Sequence, residues 1–525
     1  MDGARCYRGV HCLDSKELNI SFDEILRDCR SDDPYLTCYS GGRCLSRYSF
    51  NAFVDETESL RVKILGIHEV MAGDRVIVKA ANSDRALFAF SAVLKLQAVV
   101  VPVPPDISDV DLNDIVKASN AAMVISDTRN FDDSIALETE KLFVTSLPKA
   151  SRNQRDMRDE EEPPALQVFT SGTTSQSKSV TLTLRNLIAN AIAVKKHHNL
   201  GPSITLMSVL PLFHVNAFNL SFFATLFSKS QLILNRSFYL PSFWQIADAE
   251  QVNIISLVPK LIKILIEDRR TPSPPQTLKY VTSAAAPLPR ENAQRFYDRF
   301  KIKVLQGYGM SEAVNFSLTT PTDLTDEDYA HLLTLPDLTA GVELYGNHLT
   351  IKDEAGEDVD EGALGELCIQ GWNVMRGYNN NPTANKEAFL RDYFKSGDMA
   401  YLKVINNQRY FFLKGRKKEI IIRNGENINP YIFEQKLRTL DHLAEAILVG
   451  FENDYSGEGL GLVLPCALSE TSTRDLMNRV KDALGERYVP DAIAFTDEVT
   501  YTDTGKLQRN RLRTHFLEFK TLPIG

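Results

Sequence analysis

The sequence lacks the marks of several large protein classes. Acidic residues outnumber basic ones, 68 to 59, and the net charge of −9 leaves no cationic surplus for nucleic acid or anionic membranes. No apolar run is long enough to span a bilayer. The opening Met1-Asp2-Gly3-Ala4-Arg5-Cys6 has no signal-peptide core, and Leu522-Pro523-Ile524-Gly525 matches no retention or peroxisomal signal. A cytoplasmic protein is the expectation. The seven cysteines are Cys6, Cys12, Cys29, Cys38, Cys44, Cys368 and Cys466. None of their spacings supplies the close C-x-x-C pairs of a metal site, so they read as reduced thiols. There are no tandem repeats and no low-complexity tract.

What is present reads as a large α/β protein. At 525 residues the chain exceeds one hydrophobic core, and 43% hydrophobic with 24% charged residues is ordinary globular composition. After a mixed opening segment, residues 1–50, strands and helices alternate. Arg75 to Lys79, Val99 to Pro104, Ala122 to Ile125, Leu206 to Leu210, Gln231 to Leu234, Ile254 to Val258 and Lys303 to Leu305 read as strands. Helices are expected from Ala86 to Ala98 and from Asp111 onward. Such alternation implies parallel sheets covered by helices. Residues 150–164 are highly charged, end in Pro163-Pro164 and read as an exposed loop. From about 340 to 414, short strands with Gly turns suggest a β-rich subdomain. Beyond Gly415 a further α/β segment follows a basic entry, Arg416-Lys417-Lys418.

Chemistry concentrates first in Phe169-Thr170-Ser171-Gly172-Thr173-Thr174-Ser175-Gln176-Ser177-Lys178, which follows the apolar strand Ala165 to Phe169. Hydroxyls, exposed N–H groups and an ammonium within one turn suit phosphate oxygens. From Gly172 to Ser179 the loop is one glycine short of a P-loop, with Ser177 before the lysine. Alone it is either a nucleotide loop or a solvated turn.

Four other segments bear on that choice. Gln306-Gly307-Tyr308-Gly309-Met310-Ser311-Glu312 offers an aromatic for a base, a hydroxyl for phosphate and a carboxylate for Mg²⁺. Lys395-Ser396-Gly397-Asp398 places a carboxylate after a tight turn, where it can accept from a ribose diol. The others run from Gly415 to Ile428 and from Thr502 to Arg509. In this order and spacing the five segments resemble the adenylate-forming family, which contains acyl-CoA synthetases, peptide-synthetase adenylation domains and beetle luciferases. The resemblance runs from about residue 70 to about 515. Gly377-Tyr378-Asn379-Asn380-Asn381-Pro382 and Lys418 to Asn427 are most similar to carboxylate–CoA ligases.

The resemblance implies a large N-terminal domain of stacked, mostly parallel sheets over residues 1–414, with its β-rich subdomain. It also implies a small mobile C-terminal α+β domain over 415–525, hinged near Lys418. A carboxylate would attack the α-phosphate of Mg-ATP to give an acyl-adenylate, and a thiol of CoA or phosphopantetheine would displace AMP. Thr170, Ser171, Gly172, Thr173, Thr174 and Lys178 would cradle phosphates. Ala285, Ala286, Gly307, Tyr308, Gly309, Met310, Ser311, Asp398 and Arg416 would hold the nucleotide. Glu312 would hold the metal, and Lys506 would reach the carboxylate and α-phosphate. His214 would close the carboxylate side. Gly425 and Glu426 would line the thiol channel. No protein nucleophile is required, because the acid is already ionised; catalysis is positioning and charge neutralisation.

Val215 follows His214 where amino-acid-activating members usually place an aspartate. A plain carboxylic acid is therefore favoured over an α-amino acid, whose buried ammonium would lack a partner; a β- or γ-amino acid stays open, since its carboxylate partner could sit elsewhere. Phe213, Val215, Asn216, Phe218, Ala284, Ala285, Ala286 and Met310 are the expected pocket lining. Departures from the family pattern are Ser175, Ser177 and Ser179 for Gly, Pro and Gly, Thr500 for a proline, and Ala285 where Gly is frequent. Three readings follow: an acid–CoA ligase, an enzyme loading a carrier protein, and a nucleotide-binding regulator with degenerate catalysis. Luciferase-type oxidation is a remote fourth.

Overall fold

A computed structural model describes residues 13, 15–67, 69–128, 135–136, 142–147, 162–169, 178–269, 273–438, 440, 443, 445–469, 471–501 and 507–521. These divide into two compact units, one of residues 13–348 and 369–392, the other of residues 349–368 and 393–521.

Two sheets organise the first unit. Among the described residues the larger has nine strands, in the order Val342–Glu343, Phe316–Thr319, Lys303–Gly309, Tyr280–Ser283, Ile254–Leu257, Thr205–Ser208, Gln231–Asn235, Pro34–Ser40, Arg43–Ser49. Its central strands are parallel and in simple register: Ile255 faces Met207 on one side and Val281 on the other. All three are wholly buried, as expected of a sheet covered on both faces. The second sheet runs Gly377–Tyr378, Ser179–Thr183, Pro164–Phe169, Val99–Val103, Arg75–Lys79, Met123–Ser126, Phe143–Ser146, Ile135–Ala136.

Local signals explain where elements begin and end. The helix Asp84–Lys95 starts before the expected Ala86 because the Ser83 side chain accepts from the Ala86 N–H. It stops short of Ala98, as Gln97 turns left-handed at φ 55°. The strand Thr205–Ser208 ends before the expected Leu210, whose carbonyl bonds Asn82 instead of a neighbouring strand. The opening segment, unassigned from sequence, folds into the helix Phe22–Asp28, with its Ser21–Glu24 capping box, and the antiparallel pair Pro34–Ser40 and Arg43–Ser49. Of the expected loop at 150–164, residues 150–161 lie outside the described residues. Its last residue, Pro164, is instead buried at the start of a strand, where a first-position proline sacrifices little ladder bonding.

In the second unit the strands Tyr393–Ile405 and Gln408–Arg416 form a long hairpin. Its tip is Asn406-Asn407, with φ of 51° and 61°, the left-handed pair of a two-residue turn. Beyond the short turn Lys417–Glu419, antiparallel strands Ile421–Arg423, Glu426–Ile428, Ile447–Asn453 and Gly457–Leu464 are joined by a parallel strand, Ala492–Phe495. Helices Pro430–Leu437 and Thr473–Leu484 pack on them through Phe433, Leu437, Leu476 and Val480. A largely buried ion pair ties the last helix to this body: Arg509 engages both oxygens of Glu434 and donates to the Leu448 carbonyl at 2.9 Å. The mixed architecture agrees with the expected α/β class, with large N-terminal sheets and a C-terminal domain. No disulfide joins the described cysteines.

Two features of the first unit yield measurable consequences. His197 and His198 end the helix Leu184–His198, with His197 Nε2 3.0 Å from the Thr320 carbonyl and His198 Nδ1 3.0 Å from the Tyr280 hydroxyl. Burial holds both imidazoles below the usual value, His198 well below; for His197 the carbonyl offsets part of the effect. Between pH 6.5 and their folded values only the unfolded chain takes these protons. Stability should therefore be level from pH 8 to 7 and fall below about 6.5, by up to about 1.4 kcal/mol per pH unit per histidine. Denaturant titrations at pH 7.5 and 5.5 measure this, and the difference should shrink in His198→Gln. Ala285 sits at φ 73°, in the left-handed region that a side chain disfavours by roughly 1–2 kcal/mol. Ala285→Gly relieves that strain but loosens the unfolded chain by about 0.5–1 kcal/mol, so a net gain of about 0.5–1 kcal/mol is expected in thermal or denaturant unfolding.

Candidate active site

The expected site residues of the first unit are carried by the carboxyl ends of neighbouring parallel strands. Phe213 to Asn216 follow Thr205–Ser208, Ala284 to Ala286 follow Tyr280–Ser283, and Met310 to Glu312 follow Lys303–Gly309. In open α/β sheets this edge is where ligands bind, because loops and helix starts converge there.

The segment before His214 is fixed by a residue that the sequence did not single out. Asn82 donates to the carbonyls of Leu210 at 2.8 Å and Asn235 at 3.1 Å, and accepts from the Leu212 N–H at 2.8 Å. Phe213 and His214 are half-buried with ring centroids 4.4 Å apart. Asn216 opens the π-helix Asn216–Phe223 and its Oδ1 accepts from the Ser256 hydroxyl at 3.3 Å. Val215 is half-buried beside it. Phe218, expected in the pocket lining, is wholly buried and packs on Phe90 and Phe222 at 5.1 and 5.5 Å.

Gly307 and Gly309 have a packing reason of their own. A Cβ on Gly309 would lie 1.5 Å from the Asn315 carbonyl oxygen, and one on Gly307 2.6 Å from the Phe316 ring. The absence of side chains lets Lys303–Gly309 close onto Phe316–Thr319. Tyr308 is buried, while Met310, Ser311 and Glu312 are half-buried. Just beyond, Val314 holds φ 66° while wholly buried. A β-branched residue there is strained by order 1–3 kcal/mol and persists only because its surroundings dictate it. The Met375 N–H donates to the Glu312 carbonyl at 2.6 Å, which helps to hold the turn.

Thr170, Ser171, Gly172, Thr173 and Thr174 lie outside the described residues, as does Lys506. The strands on either side of that segment are described: Pro164–Phe169 pairs antiparallel with Ser179–Thr183, so Phe169 faces Ser179. Ser179, one of the three departures, accepts from Gln167 Nε2 at 2.7 Å. Lys178 is exposed, with Nζ 4.6 Å from the Tyr378 ring centroid. The Tyr378 hydroxyl donates to Glu312 Oε1 at 3.0 Å. Two sequence-predicted charged residues, 134 positions apart, are thus joined through a tyrosine whose role had not been foreseen.

The second unit holds the other candidates. Asp398 and Arg416 are cross-strand partners in the long hairpin, with Nε 3.2 Å from Oδ1 and the aspartate nearly buried. The Ser396 hydroxyl accepts from the Asp398 N–H at 3.0 Å. Gly425 and Glu426 lie at the exposed tip between Ile421–Arg423 and Glu426–Ile428, separate from that pair. A cavity of about 340 Å³ in this unit is bordered by Lys417, Asn427, Phe433 and Tyr488, and by none of the expected site residues.

The described residues contain no cluster of three or more metal-ligating side chains. A single half-buried carboxylate such as Glu312 would bind Mg²⁺ only together with substrate phosphates and water, the usual mode for that ion.

A probable CoA ligase of Humulus lupulus is 28% identical over 95% of this chain and 97% of its own length. An oxalate–CoA ligase of Arabidopsis thaliana is 31% identical over 67% of this chain and 68% of its own. Among solved structures, ATP-bound MatB from Rhodopseudomonas palustris superposes with a TM-score of 0.79 at 19% identity, covering 95% of this chain and 100% of that one. MenE from Bacillus subtilis with ATP and magnesium gives 0.77 at 21%, covering 93% and 99%. At such identities the structural likeness concerns the fold. The family described as AMP-binding enzyme matches residues 28–379, well over half of the sequence, and the chain belongs to that family.

Proposed function

We propose that the chain is an AMP-forming acid–thiol ligase that activates a carboxylic acid with ATP and passes the acyl group to CoA. The observation that carries this reading is the convergence of His214, Ala284 to Ala286 and Met310 to Glu312 at the carboxyl edge of one sheet, in a chain of the AMP-binding family. CoA is preferred to a carrier protein because a relative named as a CoA ligase aligns over nearly the whole of both chains. The oxalate–CoA ligase resemblance favours a plain acid, in keeping with Val215 after His214.

In the first half-reaction a carboxylate oxygen bonds to the α-phosphorus as the bond to pyrophosphate breaks. The nucleophile needs no deprotonation, so the protein's task is to bring two anions together. Thr170 to Thr174 and Lys178 contact the β- and γ-phosphates in this reading, and Glu312 holds Mg²⁺, which neutralises phosphate charge when bound. Tyr308 and Ala284 to Ala286 border the adenine, and Asp398 accepts from the ribose hydroxyls with Arg416 beside it. Lys506 offsets charge on the carboxylate and the α-phosphate. In the second half-reaction the thiol sulfur bonds to the acyl carbon and AMP leaves. The turn Lys417–Glu419 serves as the hinge, at Lys418, of a mobile domain over 415–525 that exchanges Lys506 for Gly425 and Glu426. A cytoplasmic setting and a small carboxylic acid as substrate complete the reading.

The deciding experiment is carboxylate-dependent exchange of pyrophosphate into ATP across a panel of acids. At least one acid should support exchange, and CoA should then yield acyl-CoA without a carrier protein. Absence of exchange with every acid would favour a nucleotide-binding regulator. Lys506→Ala should slow exchange by 10²–10³-fold or more, the cost of losing one preorganised charge-stabilising donor.

A further inference from the structure

The Gly377–Tyr378 strand stands between two charges that the proposed chemistry requires. It is two residues long, yet it is fixed on several sides. Gly377 and Tyr378 pair antiparallel with Thr181 and Val180, on the strand that leaves the phosphate loop. The Tyr378 N–H donates to Asn385 Oδ1 at 2.6 Å, and Asn385 Nδ2 donates back to the Tyr378 carbonyl at 3.0 Å. Gly377 is required for this clasp: its φ is 152°, and a Cβ there would lie 2.9 Å from Asn385 Oδ1. The phenol leaves this anchored backbone, nearly buried, and reaches Glu312 Oε1 with its hydroxyl at 3.0 Å. Its ring face lies under Lys178 Nζ at 4.6 Å.

We propose that Tyr378 is a positioning residue for the nucleotide site, holding the Glu312 carboxylate in one orientation for the magnesium ion and seating the Lys178 ammonium over its ring. The inference rests on the reading of Glu312 and Lys178 given above and extends it to Tyr378, to which that reading gave no role. A carboxylate has about four acceptor positions; the phenol occupies one, fixes the rotamer and leaves capacity for a hard cation. Hydrogen-bond partners of metal-binding carboxylates orient them in this way, and their loss costs metal affinity roughly 10–100-fold. The ring adds a face of negative quadrupole, which holds a cation without neutralising it. A purely structural tyrosine at this place would need the backbone clasp but not the hydroxyl.

The test is calorimetric titration of the full chain with ATP, without acid, at a series of magnesium concentrations, alongside thermal unfolding. Tyr378→Phe removes the hydroxyl and keeps the ring. It should require at least tenfold more magnesium for half-maximal enhancement of ATP binding, with an unchanged unfolding midpoint and unchanged ATP affinity in the absence of magnesium. Tyr378→Leu should show the same magnesium defect and also bind ATP more weakly without magnesium, because Lys178 loses its seat. Glu312→Gln separates the two levels of inference. If Glu312→Gln abolishes the magnesium dependence while Tyr378→Phe matches the wild type, the positioning role is wrong and the site reading stands. If Glu312→Gln leaves the magnesium dependence intact, both fall.

Discussion

The in-register parallel ladder of the larger sheet is the constraint on which the rest depends. Because Met207, Ile255, Val281 and Val304 lie on one rung, the strands bearing them end close together. The segments that follow must leave the sheet on the same side. Three stretches far apart in sequence, beginning near residues 210, 284 and 310, are delivered to one edge without any side chain having to reach far. Burial of the rung residues supplies the energy; the chemistry sits where the ladder stops.

Much of this edge was legible in the sequence, for a definite reason. Valine- and isoleucine-rich runs such as Arg75–Lys79 and Val99–Val103 state their own conformation, and the phosphate loop and Gln306 to Glu312 carry chemistry in contiguous residues. What could not be read is what long-range hydrogen bonds decide. Asn82 looks like any residue before a helix cap, yet its partners are 128 to 153 positions away. Tyr378 and Glu312 are 66 apart. Phe218, expected in the pocket lining, is wholly buried against Phe90 and Phe222, contacts that its neighbours in sequence do not announce. The first fifty residues lacked a clear period because the outer strand, Arg43–Ser49, is largely exposed and has little pattern to show.

The departures from the family pattern acquire physical content. Ser179 is held by Gln167, so that hydroxyl is part of the strand pairing at the loop's base. Ala285 keeps a backbone conformation that suits glycine, and Val314 holds an equally unfavourable one across the site. At Val314 the strain is sustained by close packing of Gly307 and Gly309 against Phe316 and Asn315 and by the Met375 N–H on the Glu312 carbonyl. A rigid edge of this kind suits a reaction whose catalysis is mainly the alignment of anions.

The hairpin of the second unit has an implication for how its sequence can vary. Asp398 and Arg416 meet because the two-residue tip at Asn406-Asn407 sets the register from Ile405 back to Ala400, and one irregularity between Ala400 and Asp398 then shifts it by a residue. Side chains alternate faces along a strand, so one residue gained or lost at the tip would turn one partner to the opposite face. Exposed tips ordinarily tolerate changes in length. Here the tip acts as a ruler for a charge pair nearly ten residues away: its residues are free to change in kind, provided they accept a left-handed backbone, but not in number.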